Sequence, residues 1–206
     1  MIKLYSMPTS GNSYKVRLLL AQLGIKFEHI PVDYNGLTLT DDFLMKNPTG
    51  KVPLVEFENG ECLSESNAIL HYFGEDDSRF VPSDKLSRAR MYQWMFFEQN
   101  FHEGTIAVRR AIFYYPNREM DRSEERLAAL LDGGNKALDV METQLLQTPY
   151  LAGDSYSLAD IALYAYTHEA DKGGFDLAGR PGIVAWLDRV STREGHVTLG
   201  WLPSVE

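Results

Sequence analysis

The 206-residue chain reads as an α/β unit followed by an all-α unit, and three observations predict that division. Short apolar runs alternate with helical patterns through the first third, the arrangement of an α/β unit with crossovers and partly parallel strands. From Gly74 to Lys85 the chain turns polar and acidic, as a linker does. Every apolar pattern beyond it has helical spacing. The expected organisation is a domain over 1–74, a linker over 75–85 and an all-helical domain over 86–206.

Ile2 to Ser6 reads as the first strand. Val16, Leu19, Leu20 and Leu23 fall at i, i+3, i+4 and i+7, predicting an amphipathic helix over 13–23 that ends at Gly24, where a left-handed cap is sterically cheap. Lys26 to Val32 predicts a second strand and Asp41 to Lys46 a short helix. Val52 to Phe57, with Cys62 and Leu63, predicts two strands around Glu58-Asn59-Gly60, whose Asn-Gly step is a strong hairpin cue. A helix over 66–73 buries Ile69, Leu70 and Phe73. Strand, helix, strand, short helix, hairpin, helix is the thioredoxin-like order.

In the second part, 86–115 predicts one long helix stopped before Pro116. Its aromatic residues, Tyr92, Trp94, Phe96, Phe97, Phe101, Phe113, Tyr114 and Tyr115, are expected mostly in the helix-packing core. A further helix over 123–147 places Leu127, Leu130, Leu131, Leu138, Met141 and Leu145 on one side, with Glu124 and Glu125 complementing the dipole of its first turn. Ser157 and Asp160 form a capping box, stapled by Tyr156 and Ile161, ahead of an apolar helical stripe.

Hydrophobic residues make up 44% and charged residues 24%, and no run approaches the roughly 18 apolar residues of a membrane span. The formal charge of -9 divides into -2 over 1–74 and -7 beyond, and the 20 basic residues form no long run, which argues against nucleic acid. Five scattered histidines and one cysteine, Cys62, offer no metal pattern and no internal disulfide. The opening Met-Ile-Lys-Leu-Tyr lacks the features of a secretory signal, so a cytoplasmic address is expected.

Three motifs carry chemistry. Thr9, Ser10, Asn12 and Ser13 crowd the start of the first helix, where free N–H groups and the helix dipole favour an anion and a hydroxyl can hold a thiolate in preference to its thiol. The same residues also fit a plain cap, with Asn12 or Ser13 as the N-cap. Asn47-Pro-Thr-Gly-Lys-Val-Pro53 leads into a strand; a cis Val52-Pro53 bond would turn the Val52 backbone outward to an extended ligand, and a trans bond would make an ordinary turn. Glu65 and Ser66 sit where a strand meets a helix, suited to the ammonium and carboxylate of an α-amino acid, with Ser64 or Ser66 as a simple cap the alternative.

These motifs lie on successive loops of the expected sheet. Together with Leu151-Ala-Gly-Asp-Ser-Tyr-Ser-Leu-Ala-Asp160 they resemble the cytosolic glutathione transferase superfamily over essentially the whole chain, and within it the bacterial serine-type, theta/nu-like members. The resemblance implies a glutathione transferase with glutathione as co-substrate. Ser10 takes the place of the activating serine, with Thr9, Asn12 and Ser13 as further candidates. Val52-Pro53 would hold the cysteinyl backbone of glutathione, Glu65 and Ser66 its γ-glutamyl end and Lys51 a carboxylate. Asn100 would approach the γ-glutamyl group across a homodimer interface.

The partner substrate implied is a small hydrophobic electrophile or a hydroperoxide, with Arg109 or Arg110 as polar contacts. No tyrosine stands at the tyrosine-type position, because Tyr5 reads as strand and Tyr14 as helix, and no cysteine occupies the loop. Cys62, on a strand, reads as a small buried hydrophobe. The competing expectation is a non-catalytic module of the same fold that binds glutathione or proteins.

Overall fold

The computed structural model describes residues 1–32 and 36–203, except for the side chains of Leu37, Glu119 and Met120. It divides into two compact units, one of 1–76 with the segment from Arg193 onward, the other Asp77–Thr192.

The first unit is a four-stranded mixed sheet in the order β2-β1-β3-β4, formed by β1 (Ile2–Ser6), β2 (Phe27–Pro31), β3 (Leu54–Glu56) and β4 (Cys62–Ser64). β1 runs parallel to β2 and antiparallel to β3, which runs antiparallel to β4. Three helices complete the thioredoxin-like order: α1 (Gly11–Leu23), α2 (Asp41–Lys46) and α3 (Ser66–Gly74). Alternation along β1 assigns its two faces. Leu4 joins Val16 and Leu20 of α1, Ile69 of α3, Phe27 and Val55 in the buried core. Tyr5 points the other way and meets Phe43 of α2 edge-on, with ring centroids 5.8 Å apart.

Polar groups reinforce that second face. Lys46 at the end of α2 donates to the Tyr5 hydroxyl (2.8 Å) and to Glu56 (2.5 Å), and Tyr5 donates to Glu56 (2.7 Å). The Lys46 and Tyr5 hydrogen bonds hold the Glu56 carboxyl down at about 2.

The second unit is helical: α4 (Lys85–Phe97), a π-helical segment (Glu98–Ala107), α5 (Val108–Tyr114), α6 (Glu124–Leu145), α7 (Leu158–Thr167) and α8 (Pro181–Ser191). The expected single helix over 86–115 is continuous but changes register through the π segment, and it stops before Pro116. That change explains a mismatch in burial. Trp94, Glu98, His102, Ile106 and Arg110, spaced four apart, are all buried. On a regular 3.6-residue turn this stripe would drift about 40° per step, whereas the wider π turn keeps it on one face.

The aromatics expected in the core lie mostly off that stripe: Phe96, Phe101, Phe113 and Tyr114 are exposed and only Trp94 is buried. On α6 the buried face begins at Gly134 and runs through Leu138, Met141 and Leu145, leaving Leu127, Leu130 and Leu131 half-buried.

At α7 the capping box is present. The buried Asp160 carboxylate accepts from the N–H groups of Ser157 (2.8 Å) and Leu151 (3.0 Å), the Ser157 hydroxyl (3.0 Å) and the Trp186 indole of α8 (2.9 Å). One side chain thereby ties the loop before α7 to the helix after it.

Two boundaries differ from the expected 75–85 linker and 86–206 domain. Phe80 and Val81 are buried, and the Phe80 carbonyl accepts from Leu158 N–H, so this stretch belongs to the helical unit's packing. The segment from Arg193 returns to the first unit, because Tyr14 donates to the Val197 carbonyl (2.7 Å), Arg17 donates to the Leu199 carbonyl (2.6 Å) and Trp201 packs edge-on against Phe27. Residues 204–206, the end of the expected helical domain, lie outside the described residues. No helix among the described residues is long and apolar enough to cross a membrane.

Asp160→Ala leaves four buried donors without their acceptor and is expected to lower stability by about 3 kcal/mol or more, read as a reduced urea midpoint. The Glu56 carboxylate stabilises the fold above its unfolded value of 4.5, a contribution lost as pH falls toward about 2. Glu56→Gln should therefore flatten the melting-temperature profile across that acidic window and leave its shape above pH 5 unchanged.

Candidate functional site

The strand register decides where the site loops meet. Tyr5, Leu54 and Ser64 stand abreast on β1, β3 and β4. Because β3 runs against both neighbours, the chain leaves β1, enters β3 and leaves β4 at one edge of the sheet. The loops carrying Ser10, Val52-Pro53 and Glu65-Ser66 therefore share that edge, the usual position for ligands in open α/β sheets.

The first loop is closely tied. Ser10 itself is the N-cap of α1, in extended conformation, with its Oγ accepting from Ser13 N–H (3.2 Å). The cap expected at Asn12 or Ser13 thus falls earlier, since those residues are already helical. Ser13 is buried, and its Oγ accepts from Met7 N–H (3.2 Å) while the Met7 carbonyl accepts from Ser10 N–H (3.1 Å). Ser13 therefore faces inward and supports the loop. Ser10, half-buried, uses its oxygen as the cap acceptor, which leaves its O–H proton to donate. Thr9 is half-buried beside it.

Asn12 reaches across to the third loop. Its Oδ1 accepts from the Ser66 hydroxyl (3.2 Å), which is buried and in turn accepts from the buried Lys15 Nζ (3.4 Å). The starts of α1 and α3 are thereby joined. Neither Ser64 nor Ser66 caps α3: Glu65 occupies the N-cap without a side-chain cap bond, at φ 69°, the only positive φ outside glycine among the described residues. An exposed glutamate held in a left-handed conformation is a strained backbone position of the kind that clusters at ligand sites.

The second loop is organised by Asn47, buried at the end of α2, whose Nδ2 donates to the Lys51 carbonyl (2.7 Å) and whose Oδ1 accepts from Thr49 N–H and Oγ (3.3 and 2.9 Å). Gly50 takes a φ of 63°, available to glycine without strain. Val52-Pro53 is cis, Pro53 is buried, and the Lys51 side chain is exposed. Among the described residues the Val52 N–H and C=O take no hydrogen-bond partner.

Asn100 belongs to the second unit. It is exposed on the π segment, and its Nδ2 donates to the Phe96 carbonyl (2.9 Å). In the same unit Arg110 is buried against Glu169 (2.7 Å), and Arg109 is half-buried with its guanidinium over Phe113. Both tyrosines set aside in the sequence are occupied, Tyr5 with Glu56 and Tyr14, fully buried, with Val197. Cys62 is half-buried on β4, not fully buried as expected, and partial burial pushes its thiol up. Among the described residues no group of His, Cys, Asp and Glu is placed to hold a metal.

Three supporting residues escaped the sequence reading, one of them Lys15 behind Ser66. Asn47 stood inside a motif without a role. Arg17 stood unremarked on α1, yet it is fully buried and donates to Ser6 Oγ and to the carbonyls of Met7, Pro8 and Leu199. A cation in the middle of an apolar helical run was the available signal, because such a group is buried only where acceptors surround it.

Comparison with known proteins assigns both parts. Residues 1–75 match the glutathione S-transferase N-terminal domain and residues 124–189 the C-terminal domain. The chain is 32% identical to glutathione S-transferase 3 of Zea mays over 93% of this chain and 90% of that protein. It is 30% identical to the disulfide-bond oxidoreductase YfcG of Escherichia coli (strain K12) over 94% and 91%. A crystal structure of glutathione S-transferase from Pseudomonas fluorescens [Pf-5] superposes with a TM-score of 0.91 at 51% identity, covering 96% of this chain and 98% of that one. The match thus runs nearly end to end, and the chain belongs to the glutathione S-transferase family.

Proposed function

We propose that the chain is a catalytic, serine-type, theta/nu-like glutathione transferase whose first unit binds glutathione along the shared sheet edge, with the Ser10 hydroxyl steadying the sulfur as a thiolate. The observation that carries this reading is the Ser10 cap, which uses the oxygen as acceptor and leaves the hydroxyl proton to donate. A hydrogen bond to the thiolate lowers its pKa, and the α1 N-terminus adds favourable charge. Thr9 and Asn12 border the same place, whereas Ser13, turned inward, serves as support.

The unpartnered Val52 backbone suits an antiparallel pairing with the cysteinyl residue, next to Pro53. Exposed Glu65 suits the γ-glutamyl ammonium, the α3 N-terminus its carboxylate, with the Ser66 hydroxyl turning to it from Asn12 on binding, and Lys51 the glycyl carboxylate. Asn100 of a second copy would complete the γ-glutamyl site in a homodimer. The protein would act in the cytoplasm on small hydrophobic electrophiles, as in detoxification.

In conjugation the thiolate attacks an electrophilic carbon, a C–S bond forms and the leaving group departs with its electron pair. With a hydroperoxide the thiolate attacks oxygen, the O–O bond breaks, the alcohol leaves and a second glutathione converts the sulfenic acid to the disulfide and water. A second reading, thiol–disulfide exchange, is favoured by the similarity to the E. coli disulfide-bond oxidoreductase. With no cysteine in the loop, the attacking thiolate would again be that of bound glutathione.

Conjugation to a chromogenic aryl halide and reduction of an organic hydroperoxide test the reading directly. Inactivity in both, with no glutathione binding by calorimetry, would defeat it, and binding without a shift in thiol pKa would mark a binding-only module. Ser10→Ala is expected to raise the bound thiol pKa by about one unit and lower kcat/KM near neutral pH about tenfold. Thr9→Ala and Asn12→Ala in the same titration identify the donor by the largest rise. Glu65→Gln should raise KM for glutathione about tenfold with kcat little changed, the signature of lost uniform binding.

A further inference from the structure

We infer that Arg17 is a positioning residue of the sulfur site, clamping the β1–α1 loop and the C-terminal segment around Val197–Trp201 into one unit. The inference rests on the proposed role of Ser10 and concerns what holds that residue in place.

Arg17 lies on α1, fully buried, and no carboxylate among the described residues pairs with it. Burial holds its guanidinium at about 10, still a cation at neutral pH. Its charge is met by four oxygens on two chain segments. Nη1 donates to Ser6 Oγ (3.0 Å) and the Met7 carbonyl (3.2 Å), and Nη2 to the carbonyls of Pro8 (2.9 Å) and Leu199 (2.6 Å). A planar fork can span such a set; an ammonium cannot.

The Met7 peptide is the link to Ser10. Its carbonyl takes both Arg17 Nη1 and the Ser10 N–H (3.1 Å), and its N–H goes to the buried Ser13 Oγ (3.2 Å). The Ser10 amide is therefore one shared acceptor away from the guanidinium. On the other side Tyr14, also fully buried, donates to the Val197 carbonyl two residues from Leu199. Trp201 packs on Phe27 beyond it. Two side chains of one helix thus fasten the returning chain beneath the loop. Released from Leu199, the guanidinium would lose one of its four acceptors and rearrange against Met7 and Pro8, displacing the residue that faces the sulfur.

Amide hydrogen exchange and thiol titration on the full chain test this with Arg17→Met, Arg17→Lys and Tyr14→Phe. Arg17→Met should speed exchange at Ser10 and at Trp201 together, by about tenfold or more. It should raise the pKa of bound glutathione by about one unit, leaving tenfold less thiolate at a given pH below that value. Arg17→Lys keeps the charge without the fork: behaviour like Arg17→Met supports positioning, and wild-type behaviour overturns it in favour of charge alone. Tyr14→Phe removes the bond to Val197 while leaving the Arg17 fork in the chain, and covers the case in which Arg17→Met fails to fold. Faster exchange at Ser10 as well as in the tail supports the clamp, and a change confined to the tail overturns it. Exchange needs no ligand, so failure here is distinguishable from a wild-type protein that binds no glutathione.

Discussion

Tyr5, Leu54 and Ser64 stand side by side on three strands, and that register underlies both the core and the site. A slip of one residue on β1 would turn Leu4 out of the core and bring Tyr5 into it. The Leu4, Val16 and Ile69 packing and the Tyr5, Lys46 and Glu56 network would be lost together. The same register sets the site loops at one edge, so the groups that would grip a tripeptide are assembled by backbone ladders that involve none of them.

What the register brings together is then secured by buried polar groups that hydrogen-bond to the loops. Asn47 shapes the loop before Val52 through the Lys51 carbonyl, Ser13 supports Met7, and Lys15 stands behind Ser66. Arg17 gathers carbonyls from the β1–α1 loop and the C-terminal segment. These groups are tolerated in the interior only while their partners stay in place, so the hydrogen bonds that satisfy them also tie the loops down. The strained φ of Glu65 fits that setting, since surroundings fixed by Ser66 and Asn12 can impose an unfavourable conformation on the residue beside them.

Element types and most boundaries were legible in the sequence because they follow from local pattern. The i, i+3, i+4, i+7 spacing from Val16 predicted α1, Gly24 its end, and Ser157 with Asp160 the start of α7. The long helix misled where pattern and packing part company. Its buried stripe includes Glu98, His102 and Arg110, polar residues that no apolar period would select, and their four-residue spacing stays on one face only through the π segment. Phe96 and Phe101, apolar but off the stripe, are exposed.

By itself the sequence determined the α/β-then-α architecture, the polar start of α1, the Val52-Pro53 and Glu65-Ser66 loops and the cap of α7, because these depend on residues a few positions apart. The tertiary structure alone decided that Ser10 is the cap, that Ser13 turns inward, that Asn12 meets Ser66, and that the chain beyond Arg193 returns to Arg17 and Tyr14. Those outcomes depend on which acceptor a buried donor finds. Its candidates lie up to 183 residues apart, as Tyr14 and Val197 do, a separation no local pattern encodes.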